Sequence, residues 1–294
     1  MKILFVGCVE SSNKLLEKLL IENKHVVGVI TKMSSRFNSD FRDLKPLCDK
    51  YNIPCQYVDN VNEEDSIAFI KKMSPDVGFC FGWSQLVKDE VISLFPKGMI
   101  GFHPAELPRN RGRHPIIWAL VLGLNQTASS FFMMDAEADN GDIISQERIT
   151  IDYEDDAGSL YDKVMEVAVQ QEVTIVDALE RGALKTVKQE GTGWNSWRKR
   201  NKNDGLIDWR MSSKNIYNLV RALTHPYVGA HFVFDDKEYK VWRTKEVSAE
   251  GQENIEPGKV LSVNRNYMDV KTGDGAIRLL DFEEIDIKEG EYLL

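Results

Sequence analysis

Short apolar runs alternate with helix-periodic stretches through the first half of this chain, and that rhythm admits few folds. Residues 2–6 read as a buried strand, and residues 11–22 follow with Leu15, Leu16, Leu19 and Leu20 on one helical face. Further strands are expected at 25–30, 54–58, 75–81 and 98–102, with helices at 41–51, 63–73 and 87–95 among them. Strands separated by helices of that length need right-handed crossovers, so the pattern predicts a parallel, doubly wound sheet. Ligands of such sheets sit outside the carboxyl ends of the strands. That rule alone singles out residues 81–86 and 103–113.

Beyond the alternation the pattern changes. Residues 115–122 read as a helix, 127–134 and 143–151 as strands around a turn-rich 135–142, and 155–179 as a long helix. A polar stretch rich in Gly, Asn, Lys and Arg, 189–204, reads as a linker or binding loop. After it come a helix at 213–223 and β-like runs at 230–234, 239–242, 258–263, 268–271 and 277–286. The expected class is α/β: a Rossmann-like core over 1–188 and a small, mainly β domain over 205–294. At 294 residues, 43% hydrophobic and 28% charged, the chain is long enough for both cores.

Several function classes fall away. A formal net charge of -9 repels phosphate backbones and speaks against nucleic acid as the main partner. Cys8, Cys48, Cys55 and Cys80 show neither a C-x-x-C pair nor metal-ligand spacing, so reduced thiols and no metal site are expected. No apolar run reaches the ~18 residues of a membrane span, and residues 1–7 are too soon interrupted for a signal peptide. A cytoplasmic protein is expected. The first strand ends at Gly7 without G-x-G-x-x-G or a P-loop, which argues against a dehydrogenase or an NTPase.

Two stretches remain that carry chemistry. His103 closes a strand where the sheet should open on a cleft, and Pro104, Pro108 and Gly112 would hold the next loop in one shape. Arg109, Arg111, Arg113 and His114 crowd into that loop; a solvated surface loop is their ordinary alternative. The second stretch is the acidic turn with Asp135, Asp139, Asn140, Gly141 and Asp142. Its spacing is not that of an EF-hand, and an Asn-Gly pair alone marks only a hairpin turn.

Together the two stretches resemble the folate-dependent formyltransferase family. That family has a strand ending in Asn-x-His, a Leu-Pro-x-x-Arg-Gly loop and an Asp-x-Gly-Asp turn some forty residues on. Here the matching residues are His103, then Leu107, Pro108, Arg109, Asn110, Arg111 and Gly112, then Asp139 to Asp142. The likeness extends over residues 1–7, most of 75–150, and the Asp208-Trp209, Arg221 and His225-Pro226 neighbourhoods. It departs at Gly101, where the family carries Asn. In the family that amide steadies the negative oxygen of the tetrahedral intermediate, and losing one such donor costs ~10²–10³ in rate. Asn110, Asn140, protonated His103 or a backbone amide would have to replace it. The stretch around Gly101, with the Arg111 to Pro115 sequence, also resembles the N-formyltransferase of the pseudaminic acid pathway and the formylation domain of a peptide synthetase.

The resemblance implies formyl transfer from N10-formyltetrahydrofolate to an amine. His103 would act as base or as donor to the oxyanion, and Asp142 would orient its ring. Phe81, Trp83, Gln85, Leu86, Asp139 and Gly141 would hold the folate. Arg109, Asn110 and Arg111 would face the acceptor, together with Arg198 and Arg200, which mix with Trp194 and Trp197 in a way that suits a base and a diphosphate. A nucleotide-linked amino sugar is the acceptor expected. A tRNA acceptor asks for a basic C-terminal domain, whereas residues 205–294 hold twelve Lys or Arg against sixteen Asp or Glu. A folate binder without catalysis is the third reading, suggested by Gly101. The β-rich C-terminal domain offers a surface for a homodimer.

Overall fold

The computed structural model describes residues 1–35, 40–191 and 193–293. Thr192, within the predicted linker, and Leu294, at the end of the predicted β domain, lie outside them. The chain forms two compact units. The first is Met1–Pro115, Thr127–Ile149 and Asp162–Trp197; the second is Ile116–Gln126, Thr150–Tyr161 and Arg198–Leu294. The boundary at Trp197 thus falls inside the predicted linker, whose two halves belong to different units.

Elements in chain order are β1 (Ile3–Val6), α1 (Glu10–Ile21), β2 (Val26–Thr31), α2 (Lys45–Tyr51), β3 (Cys55–Tyr57), α3 (Glu64–Met73), β4 (Val77–Cys80), α4 (Asp89–Ile92) and β5 (Met99–His103). Then come β6 (Arg111–Gly112), α5 (Pro115–Val121), β7 (Gln126–Met133), β8 (Ile143–Thr150), α6 (Ala157–Glu180) and β9 (Ser196–Trp197). The chain ends with α7 (Ser213–Leu223), β10 (Ala230–Phe234), β11 (Lys237–Val247), β12 (Val260–Asn264), β13 (Tyr267–Lys271) and β14 (Ala276–Phe282).

The first unit is built on a seven-stranded sheet, ordered β3-β2-β1-β4-β5-β7-β8. Its first five strands are parallel. β7 runs antiparallel to β5, so the sheet is mixed at one side, as many doubly wound sheets are. All of β1 is buried: Phe5 packs with Phe81, while Leu4 and Val6 join Ile30, Ile70, Val91 and Phe95 in a separate cluster. Burial on both faces is why these strands read as unbroken apolar runs.

Two predicted helices are shorter than their periodicity suggests. α2 starts at Lys45 with Pro46 in its first turn, where the missing N–H costs no intrahelical bond, and Asp43 Oδ1 accepts the Lys45 N–H at 2.9 Å. Phe41 is instead drawn into a bridge with Val9. α4 is one turn; Asn62 Oδ1 takes the Lys88 N–H at 2.8 Å at its start, and Pro96 follows shortly after its end.

The second unit holds an antiparallel five-stranded sheet, β10-β11-β14-β13-β12. α7 buries Ile216, Leu219, Val220 and Leu223. Ser212 caps it by accepting the Asn215 N–H at 3.2 Å. Arg221, on the same helix, donates to the carbonyls of Asp152, Tyr153 and Asp155 at 2.8–3.0 Å. Among the described residues no helix is long and apolar enough to cross a membrane.

Candidate functional site

β5 is buried except at Phe102 and ends at His103, where the chain leaves the sheet. His103 is 5% exposed. Its Nε2 lies 2.7 Å from the Asn110 carbonyl oxygen. A carbonyl only accepts, so in the neutral ring Nε2 bears the proton and Nδ1 carries the lone pair. Asn110 presents that carbonyl from a left-handed setting, φ 61°, and its own N–H donates to Asn195 Oδ1 at 2.9 Å.

Nδ1 faces a carboxylate. Asp139 Oδ2 lies 3.7 Å from it and accepts the Gly112 N–H at 3.0 Å. Asp139 sits at φ 57° in the acidic turn. Gly112, at φ 99°, is where β6 pairs with β9; a Cβ there would lie 2.3 Å from the Trp197 carbonyl oxygen, so only glycine allows the approach.

Asp142, the partner predicted for His103, is corrected by this geometry. Its carbonyl accepts the Met133 N–H at 2.8 Å, and Ile143 beside it bridges Val187. Held between those pairings, its carboxylate accepts instead from Thr186 Oγ1 at 3.2 Å. The carboxylate that meets His103 is Asp139. Gly141, between them, approaches Met133 so closely that a Cβ would lie 1.7 Å from the Met133 carbonyl oxygen.

The space beside Gly101 is filled. Phe132 is its partner across β5 and β7, and a Cβ at 101 would lie 2.6 Å from the Phe132 ring. Asn140, one of the candidate replacement donors, gives its amide to Asp135 Oδ2 at 3.2 Å.

The residues predicted to hold folate divide. Phe81 is fully buried among Phe5, Phe79, Phe102 and Phe131, and its carbonyl accepts from Ser12 Oγ at 2.6 Å. Its side chain is core, a correction to the predicted ligand contact. Trp83 is half-buried under Lys32, whose Nζ stands 4.9 Å from the ring. Trp83 Nε1 is buried without a hydrogen-bond partner, and so is Gln85 Oε1. Gln85 Nε2 donates to the Asp59 carbonyl at 2.9 Å, and Leu86 is 60% exposed.

On the acceptor side, Arg109 is exposed. Arg111 lies 4.4 Å over the Trp194 ring, with Nη2 donating to Gln189 Oε1 at 2.7 Å and Nε buried without a partner. In the second unit Arg198 and Arg200 flank the Trp118 ring at 5.3 and 4.8 Å. Both also donate to Asp204: Arg198 to its carboxylate, Arg200 to its carbonyl. The Arg198 guanidinium holds the Asp204 carboxyl well below the usual carboxylate range. Those two cations are committed within their own unit.

Gln189, Asn195 and Thr186 were not predicted as site residues, yet each bonds a motif residue. They lie in or beside a polar stretch without periodicity, and nothing local distinguishes a buried glutamine there from a solvated one.

Known proteins share this architecture. Residues 1–176 match the formyl transferase family, and residues 199–289 match the formyl transferase C-terminal domain. A methionyl-tRNA formyltransferase of Geotalea daltonii is 30% identical over 283 residues, covering 94% of this chain and 88% of that protein. The solved sugar 3N-formyl transferase WlaRD, with dTDP and 5-N-formyl-THF present, superposes with TM-score 0.70 at 19% identity, covering 95% of this chain and 97% of that one. An N-formyltransferase of Helicobacter canadensis, in complex with folinic acid and dTDP-3-aminofucose, gives 0.70 at 16% identity over 95% and 99%. At those identities the structural likeness is one of fold.

Proposed function

The chain belongs to the formyltransferase family, and from that premise we propose that it moves the formyl group of N10-formyltetrahydrofolate to the amino group of a nucleotide-linked sugar. The observation that carries the chemistry is the His103–Asp139 pair, 3.7 Å apart with the ring's tautomer fixed by Asn110.

Residues 81–86 fit the folate. Trp83 Nε1 is a buried donor and Gln85 Oε1 a buried acceptor, each lacking a protein partner. Leaving such groups unpaired costs ~1–3 kcal/mol apiece, and a flat heterocycle with amide-like edges would satisfy both beside the exposed Leu86. The bound folate supplies a formyl carbon open to attack by an amine.

His103 Nδ1 takes the proton from that amine and would pass it to the carrier nitrogen as the bond between that nitrogen and the formyl carbon breaks. Nδ1 carries the lone pair, which an ionised carboxylate has no proton to engage, and Asp139 Oδ2 stands 3.7 Å away. Once the ring is charged, Asp139 balances it, and the Gly112 N–H keeps the carboxylate in place. Base catalysis of this kind is worth ~10²–10⁴. With Phe132 filling the space beside Gly101, the charged imidazole is the group assigned here to stabilise negative charge growing on the formyl oxygen.

The sugar acceptor rests on the acidic C-terminal residues 205–294 and on neighbours of this fold whose complexes hold a nucleotide or an amino-sugar nucleotide. Within that class we favour a UDP-linked 4-amino-4,6-dideoxy sugar of the pseudaminic acid type. The 30% identity to a methionyl-tRNA formyltransferase favours a second reading, an aminoacyl-tRNA amine. The deciding experiment offers the purified chain N10-formyltetrahydrofolate with dTDP-3-amino, UDP-4-amino and methionyl-tRNA acceptors in parallel. Formylated sugar nucleotide is expected. Formyl-methionyl-tRNA as the sole product would reverse the assignment, and folate binding with no product would point to a non-catalytic homologue.

A further inference from the structure

Gln189 is 9% exposed and spends all its ordinary donor capacity on the acidic turn. Its Nε2 donates to the Asp139 carbonyl at 2.9 Å and to the Gly141 carbonyl at 2.7 Å, while its Oε1 accepts from Arg111 at 2.7 Å. One side chain therefore joins the loop that follows His103 to the turn that carries Asp139. Its neighbours repeat the connection with backbone: Ile143 bridges Val187, the Asn195 carbonyl accepts from Arg111, and β6 pairs with β9. Because two donations land on the residues at and just after Asp139, they fix where the turn sits, and with it the setting of Asp139 Oδ2 against Gly112 and His103.

We propose that Gln189 is a positioning residue for formyl transfer, holding the acidic turn in the setting that puts Asp139 opposite His103. The inference rests on the proposed function for its kinetic side and on hydrogen bonding alone for its structural side. Two variants of the full chain separate the bonds. Q189M fills the same space with no hydrogen bonds; Q189E can still accept from Arg111 but cannot donate to the turn. A misplacement of about 1 Å in a catalytic group costs up to ~10² in rate. Both variants should therefore lose ~10–10² in kcat, with KM for N10-formyltetrahydrofolate within about threefold. In both, the Gly112 amide, whose acceptor is Asp139, should exchange its hydrogen faster by mass spectrometry.

Wild-type kcat in folded Q189M would overturn the proposal. So would full restoration in Q189E, since tethering Arg111 would then suffice, or a kcat loss with Gly112 exchange unchanged. Should Q189M fail to fold, Q189E carries the same comparison. If the wild-type chain formylates no acceptor, the proposed function fails, while the Gly112 exchange still decides whether Gln189 sets the turn.

Discussion

In the first unit, β4 and β5 each end and release the chain into a loop that does not pair back on the same strand; in the second, a strand's end is often consumed by a hairpin. Asp235 and Asp236, both at positive φ, turn β10 into β11, and Asn264 pairs with Tyr267 across the turn from β12 to β13. The free strand ends of the parallel sheet leave Trp83, Gln85 and His103 in loops or at a rim, where side chains can meet a ligand or each other. On the second unit's sheet, ionic groups pair with near neighbours. Asp269 accepts two bonds from Arg278, which also lies 3.8 Å over Tyr267, and Glu238 is held to about 2 by Lys202 and Lys240.

The sharpest way to break that contrast is at the rim. His103→Ala should lower kcat by ~10²–10⁴ and Asp139→Asn by about 10², whereas Asp142→Asn should stay within about threefold, all measured by product formation with a responsive acceptor. Equal losses at 139 and 142 would mean that the acidic turn acts as a whole.

Next in size is Gly101→Asn. Its Cβ would lie 2.6 Å from the Phe132 ring, and overpacking of a filled core costs ~1–3 kcal/mol. Urea unfolding should show that loss, and combining it with Phe132→Ala should cost less than the two single changes summed. Additive losses from the two changes would mean that they do not share the space.

Glu172 on α6 offers a smaller effect with a definite sign. It is fully buried, neither oxygen has a partner, and burial pushes its carboxyl well above the usual range. The folded chain holds that proton more tightly than the unfolded one. Its contribution to stability is therefore complete below the ordinary glutamate range near ~4.3 and fades as pH climbs toward the raised value. Glu172→Met should remove this decline, so the gap in unfolding free energy between variant and wild type should widen in the variant's favour between pH 5 and pH 8. A gap that narrows or stays flat would place an ionised, paired carboxylate there.

The smallest effect belongs to the second unit. Arg278→Ala breaks a partly exposed pair and should lower the urea midpoint only slightly, less in high salt, with formyl transfer unchanged. A large loss of activity from that change would undo the division between the two sheets.

Most of the parallel sheet was legible because burial on both faces writes itself as apolar runs, and His103 because a strand's carboxyl end and a proline-rich loop coincide there. The choice between Asp139 and Asp142 was not. A turn has no period, so spacing does not say which of its carboxylates points inward; a left-handed residue at 139 and a bridge from Ile143 to Val187 decide it, and both depend on distant pairing. Phe81 misled for the opposite reason: the rule about strand ends selects a position along the chain, while its ring belongs to the core. Gln189 was invisible because a glutamine's burial is fixed by what packs over it and not by its neighbours in sequence.

The ring lying over Gly101 also constrains the chain's history. With Phe at 132, a single change that restores a side chain at 101 meets a collision before it gains any function, and shrinking 132 first opens a void in the sheet. An amide at 101 therefore asks for a coordinated change at 132, and a donor supplied from elsewhere in the site asks for none.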